Sequence, residues 1–116
     1  MLVAGEVSGD MHAAELLREL RARRPGLSAW GIGGARLRAE GLETLYDAGD
    51  MAVMGLAEVL RRLGFFRRVF RRLLEEADRR RPAVALLVDY PGFNLRLARA
   101  LAGRDVRVVY YICPQV

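Results

Sequence analysis

Ala83-Val84-Ala85-Leu86-Leu87-Val88-Asp89-Tyr90-Pro91-Gly92, residues 83–92, decides the fold. The apolar run Ala83 to Val88 has no alternation, which is the pattern of a strand covered on both faces rather than one. Asp89 to Gly92 then breaks it with turn chemistry, and Phe93 to Ala102 returns at helical spacing until Gly103. A doubly covered strand that hands straight over to a helix belongs to a parallel sheet.

Working outward, Pro82 ends the helical segment before this strand, because proline offers no amide hydrogen and crowds the preceding turn. That segment carries Leu56, Val59, Leu60, Leu63, Phe66, Phe70, Leu73, Leu74 and Ala77 in one apolar stripe, with Phe65 and Val69 off it. Gly64 predicts a break into two helices. Val106 to Ile112 reads as a second buried strand. Toward the start, Leu2-Val3-Ala4 is a short strand, and Met11 to Arg24 an amphipathic helix with Asp10 as its N-cap, stopped by Pro25-Gly26. Leu27 to Ile32 is predicted as a strand, Ala35 to Glu40 as a short helix, and Glu43 to Tyr46 as a small strand. Strands alternating with helices predict one Rossmann-like α/β domain over residues 1–116, doubly wound on a parallel sheet. The last segment stops just past a strand, without a covering helix, so the domain reads as cut.

Composition narrows the function. Hydrophobic residues at 53% and charged residues at 28% exclude a disordered chain. Cys113 stands alone, so no internal disulfide forms; no secretory leader pattern opens the chain, and no apolar run approaches ~18 residues. A cytoplasmic setting is expected. There is no Lys, which removes P-loop and Schiff-base chemistry. Residues 51–81 hold nine Arg against Glu58, Glu75, Glu76 and Asp78, a surplus equal to the whole formal charge of +5. Arg doublets interleaved with large apolar residues there fit a solvated helix, an anionic membrane surface or nucleic acid. The last reading lacks any groove-reading or base-stacking motif.

Ligands of an open parallel sheet bind beyond the carboxyl ends of its strands. Three loops lie there. Gly5-Glu6-Val7-Ser8-Gly9-Asp10 either cradles a ligand at a helix N-terminus or makes a tight capped turn; its glycine spacing is not the dinucleotide fingerprint. Gly31-Ile32-Gly33-Gly34 either cradles a sugar or phosphate or turns the chain. Asp89 is either a general base at the sheet mouth or a helix cap, and Asn94 shares its loop as a ligand contact or a helix N-terminal polar residue. His12, the single histidine, has no partners that build a metal site or a hydrolase triad. The reading requires Asp89 and the opening glycine turn to share one crevice.

Read in order, Ala4–Asp10, Gly31–Gly34, Ala39-Glu40-Gly41-Leu42, Met51–Leu60, Asp89–Asn94 and Tyr110–Val116 resemble the N-terminal part of the lipid-A-disaccharide synthase family. The resemblance implies the glycosyltransferase B-type fold, two Rossmann-like domains facing across a cleft, of which this chain supplies the acceptor side and lacks the UDP-binding side. It implies transfer of 2,3-diacylglucosamine from its UDP carrier to 2,3-diacylglucosamine 1-phosphate, giving the β-1,6 disaccharide and UDP. No metal or cofactor is implied, the UDP-sugar being a substrate. Asp89 would activate the acceptor, with Gly5, Glu6, Ser8, Gly9, Asp10, Gly33, Gly34 and Asn94 as binding residues. Val53, Met54, Leu56, Leu60, Phe65, Phe66, Arg67, Arg68 and Val69 would dock an anionic membrane, placing the protein peripherally on the inner face of the bacterial inner membrane and away from nucleic acid. The ending Cys113-Pro114-Gln115 varies the family's commoner Ser-Pro-Ser. A second reading is a non-catalytic, lipid-binding module that keeps this half of the fold.

Overall fold

The computed structural model describes residues 1–52 and 55–111. Its elements are β1 (Leu2–Ala4), α1 (Val7–Arg23), β2 (Trp30–Gly33), α2 (Ala35–Ala39), β3 (Glu43–Asp47), a 3₁₀ turn (Ala48–Met51), α3 (Leu56–Arg61), α4 (Leu63–Arg80), β4 (Val84–Val88), α5 (Pro91–Ala102) and β5 (Arg107–Tyr111). The strands form one parallel sheet in the order β3-β2-β1-β4-β5. The chain winds outward from β1 to β3, then crosses to β4 on the other side of β1. The strand order therefore reverses between β1 and β4, and the loops after these two strands flank the resulting crevice.

Two cores explain why β1 and β4 are apolar throughout. On one face Val3, Ile32, Ala85 and Leu87 pack with Val69, Leu73 and Ala77 of α4 and Leu97 and Leu101 of α5. On the other, Leu2, Ala4, Leu86 and Val88 meet Ala13, Ala14 and Leu17 of α1 and Leu37 of α2. Each fully buried Leu, Ile or Val contributes about 1.5–3 kcal/mol by leaving water. Gly31 lies where β1 and β2 approach: its φ is +146°, and a Cβ would sit 1.9 Å from the Leu2 carbonyl oxygen.

Four expectations change. β5 is an edge strand with alternating exposure, not a buried one, because nothing pairs beyond it among the described residues and one of its faces meets no helix. β2 starts at Trp30 rather than Leu27, although Leu27 and Ala29 still pack on the core as the chain enters. The helix break falls at Arg62, leaving Gly64 within the first turn of α4. Val69 lies at the centre of the α4 core face, fully buried beside Leu73 and Ala77, so it is no docking residue. The stripe predicted from spacing carried it to the side because the helix turns Leu63, 36% exposed, outward instead.

Candidate active site

Asp10 is not the cap of α1. Its amide already donates to the Glu6 carbonyl at 2.9 Å, so the helix begins at Val7 and Asp10 sits inside its first turn. The buried carboxylate reaches across to α2 instead. Oδ1 accepts from the amides of Gly34 at 2.7 Å and Leu37 at 3.1 Å, and Oδ2 from that of Arg36 at 3.1 Å. One side chain thus satisfies the N-terminal donors of a helix it does not belong to. Gly34 is buried because a Cβ there would stand 2.8 Å from Asp10 Oδ2, and Gly33 because a Cβ would meet Leu37 Cδ1 at 2.5 Å. Asp10, Gly33 and Gly34 therefore fasten α1 to α2.

Asn94 likewise has a structural role. It is fully buried in α5, and its Nδ2 donates to the carbonyls of Asp89 at 2.9 Å, Val88 at 3.3 Å and Val3 at 3.4 Å. The amide spans β1 and β4 at the switch point, which buried backbone carbonyls demand. Its Oδ1 is buried without a hydrogen-bond partner among the described residues.

What remains open is the rim around β1 and β4. Gly5, Glu6, Val7, Ala48, Ala52 and Tyr90 line a recess of about 300 Å³. Gly5 is glycine because the Tyr90 ring lies on it, with Cγ 2.9 Å from where a Cβ would be. Glu6 is half-buried and Ser8 exposed beside it. Gly9 is buried in the first turn of α1 and brings that turn onto β4: a Cβ there would be 3.4 Å from Val88 Cγ1 and 3.8 Å from Asp89 Oδ2. The Asp89 carboxylate thus lies against the first turn of α1, next to the glycine turn that lines the recess.

Asp89 and Tyr90 are consecutive non-glycine residues in the left-handed region, at φ +49° and +51°. Such backbone costs about 1–2 kcal/mol per residue and persists only where neighbours hold it. The Asp89 amide donates to the Tyr111 carbonyl at 3.0 Å, and its carbonyl accepts from Asn94 and from the Tyr110 hydroxyl at 2.7 Å. The Tyr90 hydroxyl donates to the Met51 carbonyl at 2.7 Å. Burial raises the Tyr90 pKa above the usual phenol value, with the Glu6 charge adding to it and Arg62 opposing. Burial also raises that of Tyr110, reinforced by Asp89 and Glu6. Both phenols remain donors at neutral pH, and both feel carboxylates across the same corner. Neither tyrosine was singled out by spacing, since nothing local in the sequence marks a side chain that bonds a carbonyl 21 or 39 residues away.

The Arg-rich corner lies on α3 and α4. Leu56 is 75% and Leu60 62% exposed. Arg67, Arg68, Arg71 and Arg72 are exposed, and among the described residues none has an acidic partner within 4.0 Å. Phe65 and Phe66 are half-buried; Phe65 packs edge-on to Tyr46 at 6.0 Å, and the Arg62 guanidinium covers both phenylalanine rings at 4.8 and 5.3 Å. Arg62 also donates to the carbonyls of Asp50 and Ala52, so the turn at 48–52 is held from this side as well as from Tyr90. Val53 and Met54 lie outside the described residues. Among the described residues no helix is long and apolar enough to cross a membrane. None of their His, Cys, Asp and Glu side chains gather in threes as a metal site.

Sheet order and helix placement define a doubly wound parallel α/β domain whose strand order reverses between β1 and β4. The chain belongs to the lipid-A-disaccharide synthetase family, whose family model matches residues 1–116. It is 53% identical over 116 residues to the lipid-A-disaccharide synthase of Myxococcus xanthus and 48% to that of Geobacter sulfurreducens, both alignments covering 100% of this chain. With the Nitrosococcus oceani enzyme of the same name it shares 44% over 115 residues, or 99% of the chain. The chain spans 30% of the length of each of these relatives.

Proposed function

We propose that this chain is the acceptor-side domain of a glycosyltransferase that moves 2,3-diacylglucosamine from UDP to 2,3-diacylglucosamine 1-phosphate. The observation that carries the reading is the Asp89 carboxylate, held against the first turn of α1 in a chain that belongs to this family. In the transfer, the acceptor hydroxyl oxygen bonds to the anomeric carbon of the donor as the bond from that carbon to the UDP oxygen breaks. Asp89 takes the hydroxyl proton, and the electron pair leaves with UDP. The leaving diphosphate is assigned to a further domain across the cleft, as the relatives' greater length allows. Gly5, Glu6 and Ser8 border the path of the acceptor sugar.

We further assign the Leu56, Leu60 and Arg67–Arg72 corner to an anionic bilayer, on the cytoplasmic side where both lipid substrates are reached. Exposed leucines next to arginines that have no acidic partner among the described residues combine apolar insertion with attraction to anionic headgroups, about 1 kcal/mol per basic residue near the surface. The test is Asp89→Asn in the full-length protein, assayed with radiolabelled UDP-diacylglucosamine. Transfer falls at least ~100-fold with folding intact; an unchanged rate moves the base elsewhere.

A further inference from the structure

We infer that Tyr110 is a positioning residue that keeps the Asp89 carboxylate in its working orientation. The inference rests on the reading of Asp89 as the acceptor base. The left-handed pair Asp89-Tyr90 differs from the two other non-glycine residues of positive φ. Arg81 is the C-cap of α4, and Asp105 belongs to the turn after α5, both places where such backbone commonly ends a helix. At 89–90 it joins a strand to a helix and aims a carboxylate, so its geometry is set by what holds it.

Among the described residues, three bonds to the Asp89 peptide groups are seen. Two are shared with the sheet itself. The Tyr111 carbonyl extends the β4–β5 ladder, and the Asn94 amide also bonds Val3 and Val88. The Tyr110 hydroxyl makes the third, 2.7 Å from the Asp89 oxygen, and that is the bond the structure gives it. Its ring packs on the core independently of the hydroxyl. Removing the oxygen leaves the ring in place and takes one of the two bonds from the Asp89 carbonyl, that from Asn94 remaining. With the 89–90 peptide held less tightly, its plane turns, which changes ψ of Asp89 and carries φ of Tyr90 toward the negative values that non-glycine residues prefer, and the carboxylate shifts relative to Gly9.

The experiment is Tyr110→Phe in the full-length protein, with Asp89→Asn beside it, measuring kcat and both KM values. Tyr110→Phe is expected to lower kcat about 3- to 10-fold, the effect of one neutral hydrogen bond expressed in the barrier. Both KM values stay within about twofold, as expected of a residue that acts through Asp89 rather than on a substrate, and the far-ultraviolet circular dichroism stays unchanged. A wild-type kcat, or a change confined to KM, overturns the positioning role. Loss of transfer in Asp89→Asn with wild-type kcat in Tyr110→Phe sinks this inference alone; a full rate in Asp89→Asn sinks the base assignment and this inference with it.

Discussion

Replacing Asp10 by Ala takes one carboxylate from three backbone amides. Two of the bonds, from Gly34 and Leu37, are buried, and the third, from Arg36, is partly open to water. A buried donor left without a partner costs about 1–3 kcal/mol, while water can replace the carboxylate at Arg36. Relief of the buried charge returns part of this, so opening of the α2 N-terminus becomes easier by about 3 kcal/mol. At 1.4 kcal/mol per decade that is roughly 100-fold faster amide exchange. Hydrogen–deuterium exchange read by mass spectrometry on peptides covering residues 30–42 measures it directly. Asp10→Asn keeps an oxygen for the Gly34 and Leu37 amides, which share Oδ1, but presents an NH₂ toward Arg36. It is expected to accelerate exchange about tenfold. Residues 7–12 should be little affected, because Asp10 caps α2 and not its own helix. Unchanged exchange at 30–42, or acceleration at 7–12 alone, would refute the reasoning.

Gly31→Ala forces a Cβ to within 1.9 Å of the Leu2 oxygen at a φ of +146°, so β1 and β2 must separate. A loss of about 3 kcal/mol or more is expected, and thermal unfolding at the wild-type temperature contradicts it. Asp47 is held below the ordinary carboxylate range, first by its bond from Arg38 and then by the Gly49 amide. Its folded pKa thus lies below the unfolded 3.8, so its stabilisation is complete above that value and is lost as pH falls through the folded one. Both partners are about 40% exposed or more, which limits the effect to under about 1 kcal/mol. Acid titration of the denaturation midpoint should be steeper for wild type than for Asp47→Asn below pH 3.8; parallel curves contradict the assignment.

The parallel sheet was legible because Ala85 to Val88 are buried from both sides, and an unbroken apolar run states that directly. Asp89 was legible for the same reason, as the first polar residue beyond the strand. Asp10 misled because an acidic residue before an apolar helical pattern looks like a cap, and only the tertiary packing of α1 beside α2 shows which amides it serves. Asn94 misled by its position at a sheet mouth, where a buried amide that stitches strands and an exposed one that binds sugar share the same sequence. Val69 was lost to the choice of stripe: α4 also carries Leu63 and Leu74 at acceptable spacing, and the sheet selects the face. β5 looked buried because its pattern is uniformly apolar from Val108, while its exposure depends on a neighbouring strand that no local pattern encodes.

Asp50, Met51 and Ala52 present successive backbone carbonyls, taken by Arg62, Tyr90 and Arg62 again. A hinge at this point would need to shed all of them in concert. The leucine-bearing corner is therefore latched to the recess beneath Tyr90 by side chains. Among the described residues, the Arg62 guanidinium carries any tilt of α3 against a flat surface to the turn at 48–52, which also forms part of the recess wall.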